Sequence, residues 1–218
     1  MKLLLTSGGI TNESIARALF DLVGKKPEDT SLVVIPTASN VETGDKSWSI
    51  NDLVNLKRQN FKSIDIADIS AVEEHIWRPK LEAADVLFFE GGSTYHVMTR
   101  INKSGLVSLL PEFLKTKVYV GVSAGSMVAS NDIALKMNMV LYEEDSNAVV
   151  NIQCLNLVNF YFLPHLNSPD FNLRTKEFVI QAAEGISEKI YALDDSSALK
   201  IIDDHVEVVT EGEWFTIN

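Results

Sequence analysis

Residues 118–126 read Val-Tyr-Val-Gly-Val-Ser-Ala-Gly-Ser, an apolar run that leads directly into a serine flanked by glycines. The run up to Val122 predicts a buried strand, and the residues from Ala124 onward can start a helix. The pattern Gly-x-Ser-x-Gly around Ser123 is typical of a sharp strand-to-helix turn that presents a nucleophile. The same pattern also marks plain glycine-rich turns, but the strand before it and the helix after it favour a catalytic serine.

On both sides of this turn, apolar runs alternate with amphipathic stretches. Strands are predicted at residues 3–5, 32–35, 63–67, 86–89, 118–122 and 160–163. Helices are predicted at residues 13–22, 50–59, 71–84, 95–114 and 173–183, with an interruption at Pro79 and a break near Gly105. This alternation predicts an α/β fold with a mostly parallel sheet and helices on both faces. From Tyr191 onward, short strands separated by turns predict a C-terminal antiparallel edge hairpin.

Length and charge set limits on domain organisation and partners. The chain has 218 residues, and no repeat, linker or low-complexity segment divides it, so we expect a single domain over residues 1–218. The net charge is -11, and the Lys and Arg residues are scattered singly or in short pairs. Because nucleic-acid binding needs a concentrated basic face, we expect no nucleic-acid partner.

The single cysteine and the short apolar segments bear on cofactors and location. Cys154 alone cannot form an internal disulfide or a cysteine-based metal cluster, and no H-E-x-x-H spacing is present, so we expect no metal and no other cofactor. No segment is long enough to cross a bilayer, and the leucines at 3–5 are too few for a signal-peptide core. We therefore expect a cytoplasmic protein with no membrane partner. The oligomeric state stays open, with a homodimer among the alternatives.

A second glycine motif, Glu90-Gly91-Gly92-Ser93-Thr94, follows the predicted strand at 86–89. The carboxyl ends of parallel strands meet at one edge of a sheet, so we expect this loop beside the serine turn. Its backbone N–H groups can complete an oxyanion hole. A structural turn and a phosphate-binding loop are the alternatives, although the sequence lacks the G-x-G-x-x-G and G-K-[ST] patterns.

A nucleophilic serine needs a base, and the chain offers four histidines: His75, His96, His165 and His205. His165 follows a predicted strand and precedes a turn-forming Asn-Ser-Pro-Asp sequence, and its catalytic and structural interpretations are equally weighted. The acids that could orient a base include residues 143–145, Asp170, Asp194 and Asp195. Spacing does not choose among them, but the last two end a predicted strand. Cys154 lacks the glycine-flanked turn that a nucleophile needs.

Taken together, these motifs resemble the peptidase E family of aspartyl dipeptidases and, more distantly, the cyanophycinases. The resemblance rests on the leucine-rich first strand ending in Ser7, the two glycine motifs, Pro164-His165, and residues 192–199. It implies a fold like the class I glutamine amidotransferases, a flavodoxin-like three-layer sandwich. Members of the family use serine where the amidotransferases use cysteine.

The resemblance also implies roles for individual residues. Ser123 matches the nucleophile and His165 the base, and the N–H groups of Gly92 and Ala124 match the oxyanion hole. Asp195 stands where the family has a glutamate, which is one methylene longer.

Two further positions bear on the acid and on specificity. A second acidic position of the family falls on Asn138, which cannot serve as the anion. Arg174 lies close to the position at which peptidase E has the arginine that recognises an N-terminal aspartate. The alternative for Arg174 is an exposed helix residue paired with Glu177.

The expected activity is that of a serine-type peptidase acting on small peptides, in particular dipeptides with an N-terminal aspartate. Three alternatives remain at this point. The chain could be a non-catalytic binding or sensory protein that keeps the fold, or a cyanophycinase-like hydrolase of aspartyl-linked peptides. An amidotransferase-type glutaminase is disfavoured by the serine at position 123.

Overall fold

Ten strands form two sheets in the computed structural model, which describes residues 1–132, 141 and 153–218. The strands are β1 (Lys2–Thr6), β2 (Ser31–Ile35), β3 (Ser63–Ile66), β4 (Val86–Phe89), β5 (Val118–Val122), β6 (Phe160–Leu163), β7 (Lys189–Leu193), β8 (Ser197–Ile202), β9 (His205–Thr210) and β10 (Trp214–Ile217). The larger sheet has the order β3-β2-β4-β5-β1-β8-β9, and the smaller has the order β10-β7-β6.

The larger sheet is parallel from β3 to β1 and antiparallel from β1 to β9. The mostly parallel sheet and the C-terminal edge hairpin, β8–β9, are therefore confirmed. The smaller sheet, in which β6 and β7 run parallel and β10 antiparallel, was not predicted as a separate unit.

Helices cover both faces of the larger sheet. They are α1 (Glu13–Val23), α2 (Thr37–Asn40), α3 (Ser47–Arg58), α4 (Glu74–Ala83), α5 (Thr94–Lys103), α6 (Leu106–Phe113), α7 (Ala124–Met127) and α8 (Lys176–Ala182). Alternate strand residues point to opposite faces, so α4, α5 and α6 share one apolar core and α1 and α3 the other. Helix α8 packs with β6 and β7 in a third cluster.

Two helix predictions differ from the structure. Helix α4 runs through Pro79 without a break, because Trp77 and Leu81 on its buried face pack into the core and offset the one backbone hydrogen bond that proline removes. Helix α8 begins at Lys176 rather than at residue 173, and the residues before it form turns. The break near Gly105 is confirmed, since this glycine has φ 80° between α5 and α6. Among the described residues, no helix has the length and apolar character needed to span a membrane.

Candidate active site

Ser123 lies at the sharp turn between β5 and α7. Its φ of 47° and ψ of -109° are strained for a non-glycine residue and push the side chain out of the strand. Its backbone N–H donates to the Thr6 carbonyl at 3.0 Å, and the buried Tyr119 hydroxyl donates to the Gly125 carbonyl at 2.6 Å. These bonds hold the turn against the neighbouring strand.

The two glycines of the turn permit close packing. A Cβ added at Gly121 would lie 2.6 Å from the Gly125 carbonyl, and one added at Gly125 would lie 2.3 Å from the Phe89 carbonyl. Neither position tolerates a side chain without moving backbone. The Gly-x-Ser-x-Gly pattern is thus required by the packing of α7 against β4 and β5.

The imidazole of His165 lies between Ser123 and Asp195. Its Nε2 is 2.8 Å from Ser123 Oγ, and its Nδ1 is 2.6 Å from Asp195 Oδ1. When Nδ1 carries the proton and donates it to the carboxylate in a hydrogen bond, Nε2 is free to accept the serine hydroxyl proton. This is the arrangement that activates a serine. The structure therefore brings together the three residues singled out in the sequence, and the shorter aspartate side chain reaches the ring.

Asp195 is ionised although it is partly buried. Burial alone would raise its pKa, but hydrogen bonds from His165 and Ser7, with the positive charge of Arg174, hold the pKa below its ordinary value. A carboxylate in this position favours the imidazolium that forms when the histidine takes a proton.

Asp194 has a different role. Its Oδ1 accepts bonds from Ser196 N at 3.1 Å and Ser197 Oγ at 2.5 Å, and its Oδ2 accepts one from Glu213 N at 2.6 Å. It therefore holds the turn between β7 and β8. Asp170 lines the cavity without bonding the His165 ring. Residues 143–145, like Asn138, lie outside the described residues.

The second glycine motif lies directly beside the nucleophile. A Cβ added at Gly91 would be 3.2 Å from the Ser123 Cβ. Within the part of the chain that the structure describes, the backbone N–H groups of Gly92 and Ala124 donate to no protein acceptor. Ser93 caps α5 by accepting a bond from His96 N at 3.2 Å, so the loop also serves as a helix start.

Arg174 is almost fully buried, with 1% of its surface exposed, so the exposed alternative paired with Glu177 is wrong. The reason is that the residue precedes α8 and packs beneath Phe171, with the guanidinium carbon 3.9 Å from the ring centroid. Its Nη1 donates to the Pro164 carbonyl at 3.4 Å. Phe171 in turn stacks on the His165 ring at a centroid distance of 4.6 Å.

The remaining candidates lie elsewhere. All four histidines are described, and of these only His165 lines the cavity that contains Ser123. His75 is exposed and 3.2 Å from Glu73, and His205 lies on the exposed edge strand β9. Cys154 is buried, and burial raises the pKa of its thiol to about 12, which makes it a poor nucleophile.

A cavity of about 1070 Å³ opens over the serine and is lined by Ser123, His165, Arg174 and Asp195 together with residues of α3. Three residues that line this cavity were not recognised as functional in the sequence. Ser7 and Phe171 contact the histidine, and no local pattern signals such tertiary contacts. Asp52 is the third; it is an acid four residues before the buried Leu56, and an acid on the apolar face of a predicted helix is a usable signal.

Ser123 follows β5 of the larger sheet, whereas His165 and Asp195 follow β6 and β7 of the smaller sheet. A serine, a histidine and an acid brought together at strand ends of an α/β fold are typical of the serine hydrolases. The family model of peptidase family S51 matches residues 3–209, so the chain belongs to that family and is a serine-type peptidase.

Individual relatives agree with this assignment. An uncharacterized peptidase of Pasteurella multocida is 26% identical over 187 residues, covering 85% of this chain and 84% of the relative. Peptidase E of Shewanella oneidensis is 36% identical over 103 residues, covering 46% and 42%. The crystal structure of a candidate peptidase E from Listeria monocytogenes superposes with a TM-score of 0.79 at 25% identity, covering 97% of this chain and 98% of that one.

Proposed function

We propose that this serine peptidase hydrolyses small peptides, in particular dipeptides with an N-terminal aspartate, and that Ser123, His165 and Asp195 form its triad. The observation that carries the proposal is the His165 ring, whose two nitrogens lie 2.8 Å from the serine oxygen and 2.6 Å from the carboxylate oxygen. The similarity to peptidase E proteins supports the substrate class.

In the proposed reaction, Ser123 Oγ attacks the scissile carbonyl carbon while His165 Nε2 takes the hydroxyl proton. Asp195 accepts the bond from Nδ1–H and favours the imidazolium. The N–H groups of Gly92 and Ala124 bind the oxyanion of the tetrahedral intermediate. His165 then protonates the leaving amine, and a water molecule activated by the same ring hydrolyses the acyl-enzyme.

Arg174 is the proposed partner of an acidic side chain on the acyl side of the substrate. It lines the same cavity as Ser123, and its charge is close enough to lower the pKa of Asp195. A guanidinium presents a planar fork of donors that fits a carboxylate.

The test is a screen of the purified protein against dipeptides with each N-terminal residue, together with labelling by a serine-directed phosphonate. The wild type should prefer Asp-Xaa dipeptides and be labelled at Ser123. Ser123→Ala should fold, escape labelling and lose several orders of magnitude in rate. The matched control is Ser126→Ala, which removes a buried hydroxyl of the same turn that donates to the Thr6 carbonyl. Hydrolysis that survives in Ser123→Ala would refute the assignment, and a wild type that neither reacts nor hydrolyses would favour a binding protein.

A further inference from the structure

One face of helix α3 points into the cavity. The side chains on that face are Trp48, Asn51, Asp52 and Asn55. Their spacing of three, four and seven residues places them on a single helix stripe. The helix therefore supplies the cavity with polar groups rather than packing all of that stripe into the core.

Asp52 is the buried member of this stripe, with 7% of its surface exposed. Among the described residues, no group donates a hydrogen bond to its carboxyl oxygens. A buried carboxylate without a donor or a cation is costly, and proteins seldom retain one without a partner. An acid that is buried, lines a cavity and lacks a protein partner is suited to a ligand that brings a positive charge.

Gly9 lies between Asp52 and the end of β5. A Cβ added at Gly9, whose φ is 83°, would lie 2.8 Å from Asp52 Oδ1 and 3.8 Å from Val122 Cγ2. Val122 is the residue immediately before Ser123. The carboxyl group is thus next to the strand end that carries the reactive serine.

The charged groups that act on Asp52 from the surrounding elements are acidic. Burial, and then the charges of Glu90 and Asp195, raise the pKa of Asp52 to about 8. Arg174 is a cationic residue that lines the cavity, and its charge lowers the pKa of Asp195. A bound cation would relieve both the desolvation and the repulsion.

We infer that Asp52 binds the free α-ammonium group of the substrate's N-terminal residue. This inference rests on the proposed peptidase function and deepens it, since it makes the enzyme an exopeptidase that accepts one residue on the acyl side. In such a substrate only the α-carbon separates the ammonium nitrogen from the carbonyl carbon that Ser123 attacks. An N-terminal aspartate carries one positive and one negative charge, and the cavity offers Asp52 and Arg174 to them. Charge-assisted hydrogen bonds from an ammonium to a desolvated carboxylate are strong.

The experiment compares Asp-Leu with succinyl-leucine, which is the same molecule without the α-amino group. Asp52→Asn keeps the shape of the side chain but cannot become a carboxylate opposite an ammonium group. In the wild type we expect kcat/KM to be about 100-fold higher for Asp-Leu than for succinyl-leucine, because truncating one partner of a buried charge pair has effects of that order. Asp52→Asn should abolish most of this preference, mainly by raising KM for Asp-Leu, while the rate with succinyl-leucine changes little.

The matched control is Glu42→Gln, which removes the charge of an exposed acid that also lines the cavity. It should leave the preference for Asp-Leu unchanged. An equal effect of Asp52→Asn on both substrates, or no effect on either, would overturn the inference, as would an equal loss of preference in the control.

Labelling by a phosphonate without an amino group separates this inference from the proposed function. Equal labelling of wild type and Asp52→Asn, with the preference lost only in the variant, supports both. Equal labelling with the preference retained overturns the role of Asp52 alone. A wild type that is neither labelled nor active overturns the proposed function and this inference with it.

Discussion

The hydroxyl of Ser7 donates a 2.7 Å hydrogen bond to Oδ1 of Asp195, the oxygen that also faces the His165 ring. The same hydroxyl accepts the backbone N–H of His165 at 2.7 Å. His165 has φ 65°, a conformation that costs energy in a residue with a side chain. One fully buried residue at the end of β1 therefore contacts both Asp195 and His165.

Ser7→Ala should lower kcat by about 10-fold or more with little change in KM, because misorientation of a general base mainly affects the chemical step. Steady-state kinetics with a good dipeptide substrate would measure this. Ser126→Ala is the control, since its hydroxyl is equally buried and bonds the adjacent Thr6 carbonyl without touching the triad. Similar losses in the two variants would indicate a general effect on the turn rather than positioning by Ser7.

The two adjacent aspartates should separate in their effects. Asp195→Asn should reduce kcat by several orders of magnitude, because an amide favours the wrong imidazole tautomer. Asp194→Asn should retain most activity and instead lower the melting temperature, since Asp194 accepts two hydrogen bonds at the β7–β8 turn and one from Glu213 N, just before β10. Kinetics and thermal melts on both variants would test this, and mild, equal kinetic effects would point to another acid or to a Ser-His dyad.

Arg174→Met should reduce kcat/KM for Asp-Leu far more than for Asn-Leu or Ala-Leu, by about 100-fold against a few-fold, if the guanidinium binds the substrate carboxylate. Arg174→Lys keeps the charge without the fork of donors. Its kcat/KM for Asp-Leu should fall between those of the wild type and Arg174→Met. Because the residue is buried, melting temperatures should accompany the kinetics. A uniform loss with all three dipeptides would instead assign Arg174 to supporting Phe171 and Asp195.

Asp52 should make stability depend on pH. Burial, then Glu90 and Asp195, raise its pKa from 3.8 to about 8 in the folded state. Its contribution to stability is then fully present below pH 3.8, the ordinary value, and is lost as the pH rises through about 8. Asp52→Asn should therefore gain stability relative to the wild type as the pH rises, by on the order of 5 kcal/mol at most.

Urea unfolding of both proteins at pH 5, 7 and 9 would measure this difference. Glu42→Gln again serves as the control, because it replaces an exposed acid of the same cavity rather than a buried one. Parallel stability curves for wild type and Asp52→Asn would contradict the raised pKa of Asp52 in the folded state.

The sequence predicted those features that depend on local patterns. Patterns of a few neighbouring residues predicted the strand before Ser123, the glycine-flanked turn and the alternation of strands with helices. Each of these is confirmed in the fold. The proximity of Ser123 and the second glycine motif also followed, because parallel strands bring their carboxyl ends to one edge.

The features that the sequence did not predict depend on irregular turns or on which elements meet in the fold. The burial of Arg174 comes from Phe171 above it and from the turns that delay the start of α8. The division of the C-terminal strands between two sheets depends on which partner each strand finds, and that choice is not encoded in a strand's own residues. The orientation of Asp52 toward a cavity became visible only when α3 was placed against the larger sheet.

The interior position of β1 in the larger sheet has a consequence for synthesis of the protein. This strand pairs with β5 on one side and with β8, nearly two hundred residues later, on the other. A ribosome therefore releases β1 long before its second neighbour exists, and that edge stays open until residue 202 has emerged. Asp195 enters the site through the same late segment. A nascent chain that has not reached β8 thus carries Ser123 without Asp195, and under the proposed triad its peptidase activity begins only when this late segment has folded.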